Sequence, residues 1–124
     1  MKKNVLLFVG LMLCLLLVGC GKDKESIVKP ISMVPDTSEY FAGAEITLLV
    51  NDDDGFYYMI KKYNDSDFDK YVAACMTGIF TDVDYSTTDG NGKIYYIYDS
   101  DKKYRLDCTM NNEQGIINII CNKQ

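Results

Sequence analysis

The sequence predicts an α+β fold in which an antiparallel sheet of about six strands packs on one amphipathic helix. Apolar residues that recur at helical spacing within residues 66–79 indicate the helix. Segments that alternate apolar and polar residues, separated by turns rich in Asn, Asp and Gly, indicate the strands. The predicted order is two strands, the helix and a four-strand meander, and the short connections favour antiparallel pairing.

A basic start followed by an uncharged, Leu-rich stretch opens the chain. Lys2 and Lys3 precede residues 5–17, which carry no charge and are followed by the charged residues 22–25. A membrane-spanning helix needs about 20 apolar residues, and this stretch is shorter. We therefore expect residues 1–19 to be an export signal, with a plain signal-anchor helix as the alternative.

The end of this stretch resembles the bacterial lipobox, with Leu17, Val18 and Gly19 preceding Cys20. That resemblance implies that the Cys20 thiol receives a diacylglyceryl group and that the bond between Gly19 and Cys20 is cut. Two acyl chains hold a protein stably, because each buried CH₂ contributes about 0.8 kcal/mol. The expected product is lipid-anchored on the extracytoplasmic face of the cell membrane, with membrane lipid as a partner of Cys20.

Beyond the signal, the sequence predicts one domain on a flexible tether. The tether is residues 20–29, which are short, charged and without periodicity. Residues 30–44 are apolar but interrupted by Pro30 and Pro35, so they are expected to dock on the domain in extended form. The domain spans residues 30–124.

The sequence of the first part of the domain predicts a hairpin followed by the helix. Residues 45–50 and 56–63 flank the turn sequence 51–55, and Ser66 is placed to cap the helix that follows. The helical stripe ends near Gly78. Its members are Phe68, Tyr71, Val72, Cys75, Met76 and Ile79.

Four further strands are expected after the helix. Residues 79–85 and 94–98 flank the turn at 89–92, and residues 104–110 and 116–121 flank the turn at 111–115.

Three features of the sequence are the spacing of apolar residues from Phe68 to Gly78, the run Gly92–Tyr96, and the pair Tyr104 and Leu106. Together they resemble the pattern of an uncharacterised family of small lipoproteins from Clostridia-type bacteria. This resemblance covers about the second half of the chain. It implies an exported α+β lipoprotein and no particular activity.

Composition excludes several classes of function. The formal charge of −5 becomes −7 when Lys2 and Lys3 leave with the signal, so nucleic acid is not an expected partner. The chain has no His, which removes the commonest general base and metal ligand. Neither a Gly-rich phosphate loop nor a serine-nucleophile motif is present. We expect no cofactor and no catalytic residue.

Acidic clusters at residues 51–54 and at Asp82, Asp84 and Asp89 raise the possibility of calcium binding. Neither has the spacing of an EF-hand loop. Asp and Asn are favoured in turns because their side chains bond to nearby backbone N–H groups. We therefore expect solvated turns and no metal site.

Three cysteines remain in the domain, at positions 75, 108 and 121, and each falls in phase with the predicted core. Buried thiols that act as small apolar residues are the favoured interpretation. Export also permits a disulfide, and the sequence leaves its connectivity open. A catalytic Cys lacks a base.

The sequence contains ten tyrosines, which are well suited to a contact surface. If Tyr96 and Tyr98 face the helix, then Tyr95, Ile97, Ile116 and Ile120 share the opposite sheet face. Exposed apolar patches of that size are uncommon. Either residues 30–43 fold over this face or a protein partner covers it.

The expected function is a non-catalytic binding or accessory module held at the membrane surface. One alternative is a surface inhibitor or immunity-type protein, which would bind a secreted enzyme or toxin tightly. Another is an envelope hydrolase that uses a pair of carboxylates.

Overall fold

A computed structural model describes residues 29–124. The predicted signal, the lipobox and the lipidation site at Cys20 lie outside the described residues. Within residues 29–124, no helix is long and apolar enough to cross a membrane.

The described part of the chain forms a six-stranded antiparallel sheet and one α-helix. The elements are β1 (Glu45–Asp52), β2 (Gly55–Lys61), α1 (Asp65–Met76), β3 (Phe80–Asp89), β4 (Gly92–Asp99), β5 (Tyr104–Asn111) and β6 (Ile116–Lys123). The sheet order is β1-β2-β6-β5-β4-β3. The last strand of the meander therefore pairs with the second strand of the first hairpin and joins the two parts into one sheet.

The predicted order of elements along the chain and the six-stranded antiparallel sheet are confirmed, and the fold is mostly β. The helices differ from the prediction. Residues 30–44 are not extended, because they contain two 3₁₀-helices, Pro30–Met33 and Thr37–Glu39. Pro30 suits the first position of a helix, and the Asp36 carboxylate caps the second by accepting from the Ser38 backbone N–H at 3.0 Å.

Helix α1 buries most of the predicted stripe. Phe68, Tyr71, Val72 and Cys75 are buried, whereas Ile79 lies beyond the helix and is 43% exposed. The predicted cap at Ser66 is wrong, because the helix starts at Asp65 and Asn64 precedes it without a side-chain cap. Asp65 and Asp67 in the first turn favour this start through the helix dipole.

Two layers share one face of the sheet, which we name the covered face. Helix α1 contacts β4 there, since the Phe68 and Tyr95 rings lie 6.2 Å apart. The N-terminal segment packs beside the helix: the Tyr71 hydroxyl donates to the Pro35 carbonyl at 2.9 Å, and the Phe41 ring lies 5.5 Å from that of Tyr71. The main core forms between these layers and the sheet.

The β3–β4 hairpin turns at the predicted place and depends on Gly92. Its φ of +152° is one that L side chains rarely adopt. A Cβ at this position would also collide with the Met110 carbonyl oxygen of β5. Glycine thus lets β4 and β5 pair closely from the first residue of β4.

Candidate binding face of the sheet

The second sheet face, which we name the open face, carries the candidate site. On β5 and β6, buried side chains on the covered face alternate with half-buried ones on this face. Within residues 29–124, α1 and both 3₁₀-helices pack on the covered face, so no described helix lies over the open one. Its side chains include Val50, Tyr57, Met59, Tyr85, Ile94, Tyr96, Tyr98, Arg105, Asp107, Ile116, Asn118 and Ile120.

The predicted grouping of Tyr95, Ile97, Ile116 and Ile120 on one face is wrong. Tyr95 pairs with Cys108 and Ile97 pairs with Leu106, so both point to the covered face, where Ile97 is 0% exposed. Ile116 and Ile120 do lie on the open face, because they alternate with the buried residues of β6. Tyr96 and Tyr98 join them there, in the opposite phase to the one predicted.

Of the two alternatives for the second face, covering by residues 30–43 is wrong. Ile31, Met33 and Val34 pack against the core on the covered face, as does Tyr40 with its ring 5.6 Å from that of Tyr71. The segment packs against α1 because the large ring of Tyr71 offers it both an apolar surface and a hydroxyl donor.

One row of paired residues crosses the whole open face. The register of the five strand pairs aligns one residue from each strand, from β1 at one edge to β3 at the other. In sheet order these residues are Val50, Tyr57, Ile120, Asp107, Tyr96 and Tyr85. The row is apolar or aromatic except at Asp107.

A cluster of paired polar and aromatic side chains lies at the centre of this face. The Arg105 guanidinium donates to both oxygens of the Asp107 carboxylate, at 2.7 and 2.9 Å. It also lies 4.8 Å from the centre of the Tyr96 ring, which in turn stacks 5.6 Å from Tyr85. The hydrogen bond to Asp107 raises the pKa of Arg105. The charges therefore compensate each other, and the aromatic rings are held in place.

Two shallow pockets, of about 220 and 210 Å³, adjoin this row. The larger one is lined by polar groups such as Thr87, Thr109 and Asn118 together with Ile94. The other lies toward β1 and is lined by Val50, Tyr57, Ile120 and Asn122, with Asp52 and Asp54 among its walls. The Tyr57 hydroxyl donates to the Asn118 amide oxygen at 2.9 Å, which links the two regions.

The acidic clusters contribute to turns and ion pairs. The Asp52 carboxylate accepts from the backbone N–H groups of Asp54 and Gly55 at 2.9 and 3.0 Å. Asp89 accepts from the Asn91 N–H at 2.8 Å, and Asp82 pairs with Lys102 at 2.9 Å. Among residues 29–124, no group of three or more Cys, Asp or Glu side chains is arranged to hold a metal ion.

The three cysteines of the domain are buried in the core as predicted, and their thiols are free. A hydrogen bond with Cys75, together with burial, raises the pKa of Cys108 well above its ordinary value. Burial is the main cause that raises the pKa of Cys121 to about 12. Both thiols therefore stay protonated at neutral pH, which disfavours nucleophilic chemistry.

The Arg105–Asp107 pair was missed from the sequence. Its signal is two opposite charges two residues apart on a strand, which places them on the same face.

Comparison of the chain with family models, curated proteins and solved structures gives no significant match. The resemblance to small lipoproteins thus stays a prediction.

Proposed function

We propose that this protein is a membrane-anchored extracytoplasmic lipoprotein whose domain is a non-catalytic binding module, and that the open face is its contact site for another protein. The open face is the observation that supports this function. It combines an aromatic and apolar row, over which no helix of residues 29–124 lies, with polar groups that are already paired within the domain.

The residue types of this face favour a protein partner. Tyrosine, methionine and arginine are enriched in protein interfaces, and Lys and Glu are depleted. The open face has Tyr57, Tyr85, Tyr96 and Tyr98 around Arg105, and no Lys or Glu in its central row. Tyr and Arg are also frequent hot-spot residues. Tyr96 already contacts Arg105 and Tyr85, and Tyr57 is hydrogen-bonded to Asn118. Binding would therefore cost little side-chain entropy.

The size of the face is also suitable. Six strands at about 4.8 Å spacing, each about 26 Å long, give an area of roughly 600 Å². Stable interfaces bury about 600 to 1,000 Å² on each partner. The face alone therefore supplies the area of a small stable interface.

Capture of partners from detergent-solubilised membranes, followed by mass spectrometry, tests this function. Ile120→Lys places a charge in the central row, whereas Ile79→Lys changes an equally apolar residue outside the sheet faces. We expect a protein that wild type and Ile79→Lys capture and Ile120→Lys loses, with circular dichroism showing both variants folded. Equal capture by both variants would rule out the open face, and no capture by wild type would rule out the function.

Membrane anchoring is proposed from the lipobox sequence Leu17 to Cys20 and from the basic and apolar residues before it. Metabolic labelling with palmitate tests it. Wild type should incorporate the label and Cys20→Ala should not. An unlabelled wild type, or equal labelling of the variant, contradicts the anchor without affecting the capture experiment.

The pre-paired cluster at Arg105 favours one alternative, a surface inhibitor or immunity-type protein, because rigid surfaces bind with high affinity. This alternative uses the same face. It differs in the partner, which would be a secreted enzyme or toxin bound one to one. The same capture experiment, performed with culture supernatant in place of membranes, distinguishes the two.

A further inference from the structure

The exposed large apolar side chains of residues 29–124 lie mainly on the two edge strands of the sheet. β1 and β3 end the sheet order, so each pairs with one described neighbour only. Leu48, Leu49 and Val50 follow one another on β1 and are 42%, 48% and 44% exposed. Val83 and Tyr85 on β3 are exposed to a similar extent. An edge strand also presents a row of backbone N–H and C=O groups that can pair with another strand, so each edge is a candidate docking site.

The two edges differ in how well they are protected against such pairing. On β3, Asp82 and Asp84 lie on either side of the exposed Val83. The register with β4 also shifts twice in this part of the strand. Charged side chains and bulges keep edge strands from pairing with other chains. β1 has no charge between its first and last residues and only one register shift, so it is the less protected edge.

Acidic residues stand at both ends of the apolar stretch of β1. Glu45 begins the strand and forms an exposed ion pair with Lys62 at 3.0 Å. Asp52 ends the strand and is followed by Asp53 and Asp54. The Asp52 carboxylate accepts both of its turn hydrogen bonds at one oxygen, Oδ1. Its other oxygen can therefore accept from a cation without breaking the turn.

These charges decide which kind of strand suits this edge. A second copy of the chain would bring acidic ends of its own. In an antiparallel pair with Leu48 opposite Leu49, Glu45 lies opposite Asp52, and in a parallel pair in register each acidic residue meets itself. Like charges directly opposite each other destabilise a strand pair, whereas opposite charges stabilise it. The edge therefore favours a segment with basic residues at its ends.

The pocket of about 210 Å³ beside β1 offers a place for one of these basic residues. Val50, Tyr57 and Ile120 supply apolar surface, and Asp52 and Asp54 belong to the wall. The aliphatic stem of a Lys or Arg side chain packs on apolar surface while its charged end stays in a polar environment. The pocket thus matches a long basic side chain at one end of the added segment.

We propose that the outer edge of β1 binds an extended segment of another protein as an added strand, and that this segment has apolar residues at its centre and Lys or Arg at both ends. Backbone hydrogen bonds hold the segment, and its alternate side chains contact Leu48 and Val50. The register shift at Leu49 interrupts the ladder, so the side-chain contacts and the charged ends contribute much of the affinity. This site lies beyond the open face and does not depend on the proposed function.

Binding of synthetic peptides to the full chain, purified in detergent, tests the site. The probe is a fluorescent peptide that alternates Val and Thr and carries Lys at both ends. One control peptide has Glu at both ends, and the other has N-methylated backbone amides. Fluorescence anisotropy should show saturable binding of the probe that weakens as salt is added. The Glu-ended peptide should bind at least about tenfold more weakly. The N-methylated peptide should not bind, because it cannot donate backbone hydrogen bonds.

Two variants with the same change of charge locate the site. Leu49→Lys introduces a Lys where the register shift leaves the residue without a partner on β2, and Val83→Lys introduces one on the β3 edge. Leu49→Lys should weaken probe binding at least about tenfold, and Val83→Lys should bind as wild type does, with circular dichroism showing both folded. The probe should also slow hydrogen exchange in residues 45–52 and leave residues 80–89 unchanged.

Several outcomes would overturn the proposal: no binding of the probe, equal binding of either control peptide, or equal effects of the two variants. Sedimentation equilibrium in the same detergent covers the other occupant. A wild-type dimer that Leu49→Lys dissociates would assign the edge to a second copy and would also overturn the proposal. Because these assays use purified protein and peptides, their failure is distinguishable from a failure of partner capture or of palmitate labelling.

Discussion

The covered and open faces of the sheet use their side chains in different ways. On the covered face Ile97, Leu106 and Ile119 are fully buried beneath α1 and the N-terminal segment. On the open face Tyr96, Arg105 and Asp107 are only half-buried and hold one another through an ion pair and ring contacts. One sheet thus has a face that apolar packing buries and that stabilises the fold, and an accessible face on which the side chains are already paired with one another.

The largest expected difference between the faces comes from removing a tyrosine ring. Tyr71→Ala deletes a buried ring that contacts Tyr40 and Phe41 and donates to Pro35. We expect a loss of about 3–5 kcal/mol in the free energy of unfolding, which could unfold so small a domain. Urea unfolding followed by circular dichroism measures the loss.

The control is Tyr96→Ala on the open face. Its ring contacts Tyr85 and Arg105 but stays half-exposed, so about 1 kcal/mol is expected. Equal losses for the two variants would mean that the open face contributes as much to folding as the covered one, and the distinction between them would fail.

Alkaline pH should lower the free energy of unfolding, because it ionises a thiol that is buried on the covered face. The Cys121 thiol has an ordinary pKa of 9.0, which burial raises to about 12 in the folded state. Because the unfolded chain releases this proton first, the thiol's contribution is complete below pH 9 and is lost as the pH rises toward 12. At its upper limit the loss is about 4 kcal/mol.

Urea unfolding at a series of pH values measures this loss. Cys121→Ala removes one titrating thiol and should make the dependence between pH 9 and 12 shallower. The hydrogen bond with Cys75 and burial raise the pKa of Cys108, and burial raises the pKa of Tyr71, so some loss of stability at alkaline pH should remain. An unchanged pH dependence in Cys121→Ala would show that the thiol is not sealed from water as the structure places it.

The sequence allowed the covered face to be predicted better than the open one. On β5 apolar residues alternate with polar ones, and on β6 apolar residues at every second position indicate the buried side. These patterns correctly predicted that Cys108 and Cys121 lie in the core. On β4 every residue from Ile94 to Tyr98 is apolar or aromatic, so alternation carries no phase and the wrong face was assigned to Tyr95 and Ile97. The register with β5 decides the phase, and that is a tertiary property.

The N-terminal segment and the polar cluster show the same limit. Pro30 and Pro35 correctly indicated an interrupted segment, but the ring of Tyr71, on which it packs, belongs to an element more than 30 residues away. Arg105 and Asp107 are near in sequence, yet their contact with Tyr96 depends on the pairing of β4 with β5. Local patterns predicted the elements, and long-range pairing decided what each face presents.

The ion pair between Asp107 and Arg105 offers the sharpest test of whether the open face serves the fold or a partner. Breaking it should change stability less than any variant above. Asp107→Asn breaks the ion pair with Arg105, whose side chain is 34% exposed, so water compensates and the expected loss is about 1 kcal/mol or less. Asp69→Asn is the matched control, because it breaks an ion pair of equal length with Lys93 away from the open face. Both variants should unfold at similar urea concentrations. Only Asp107→Asn should reduce partner capture, because Arg105 then loses the carboxylate that orients it over Tyr96. If both variants captured the partner as wild type does, the cluster would serve the fold alone, and recognition would lie elsewhere on the protein.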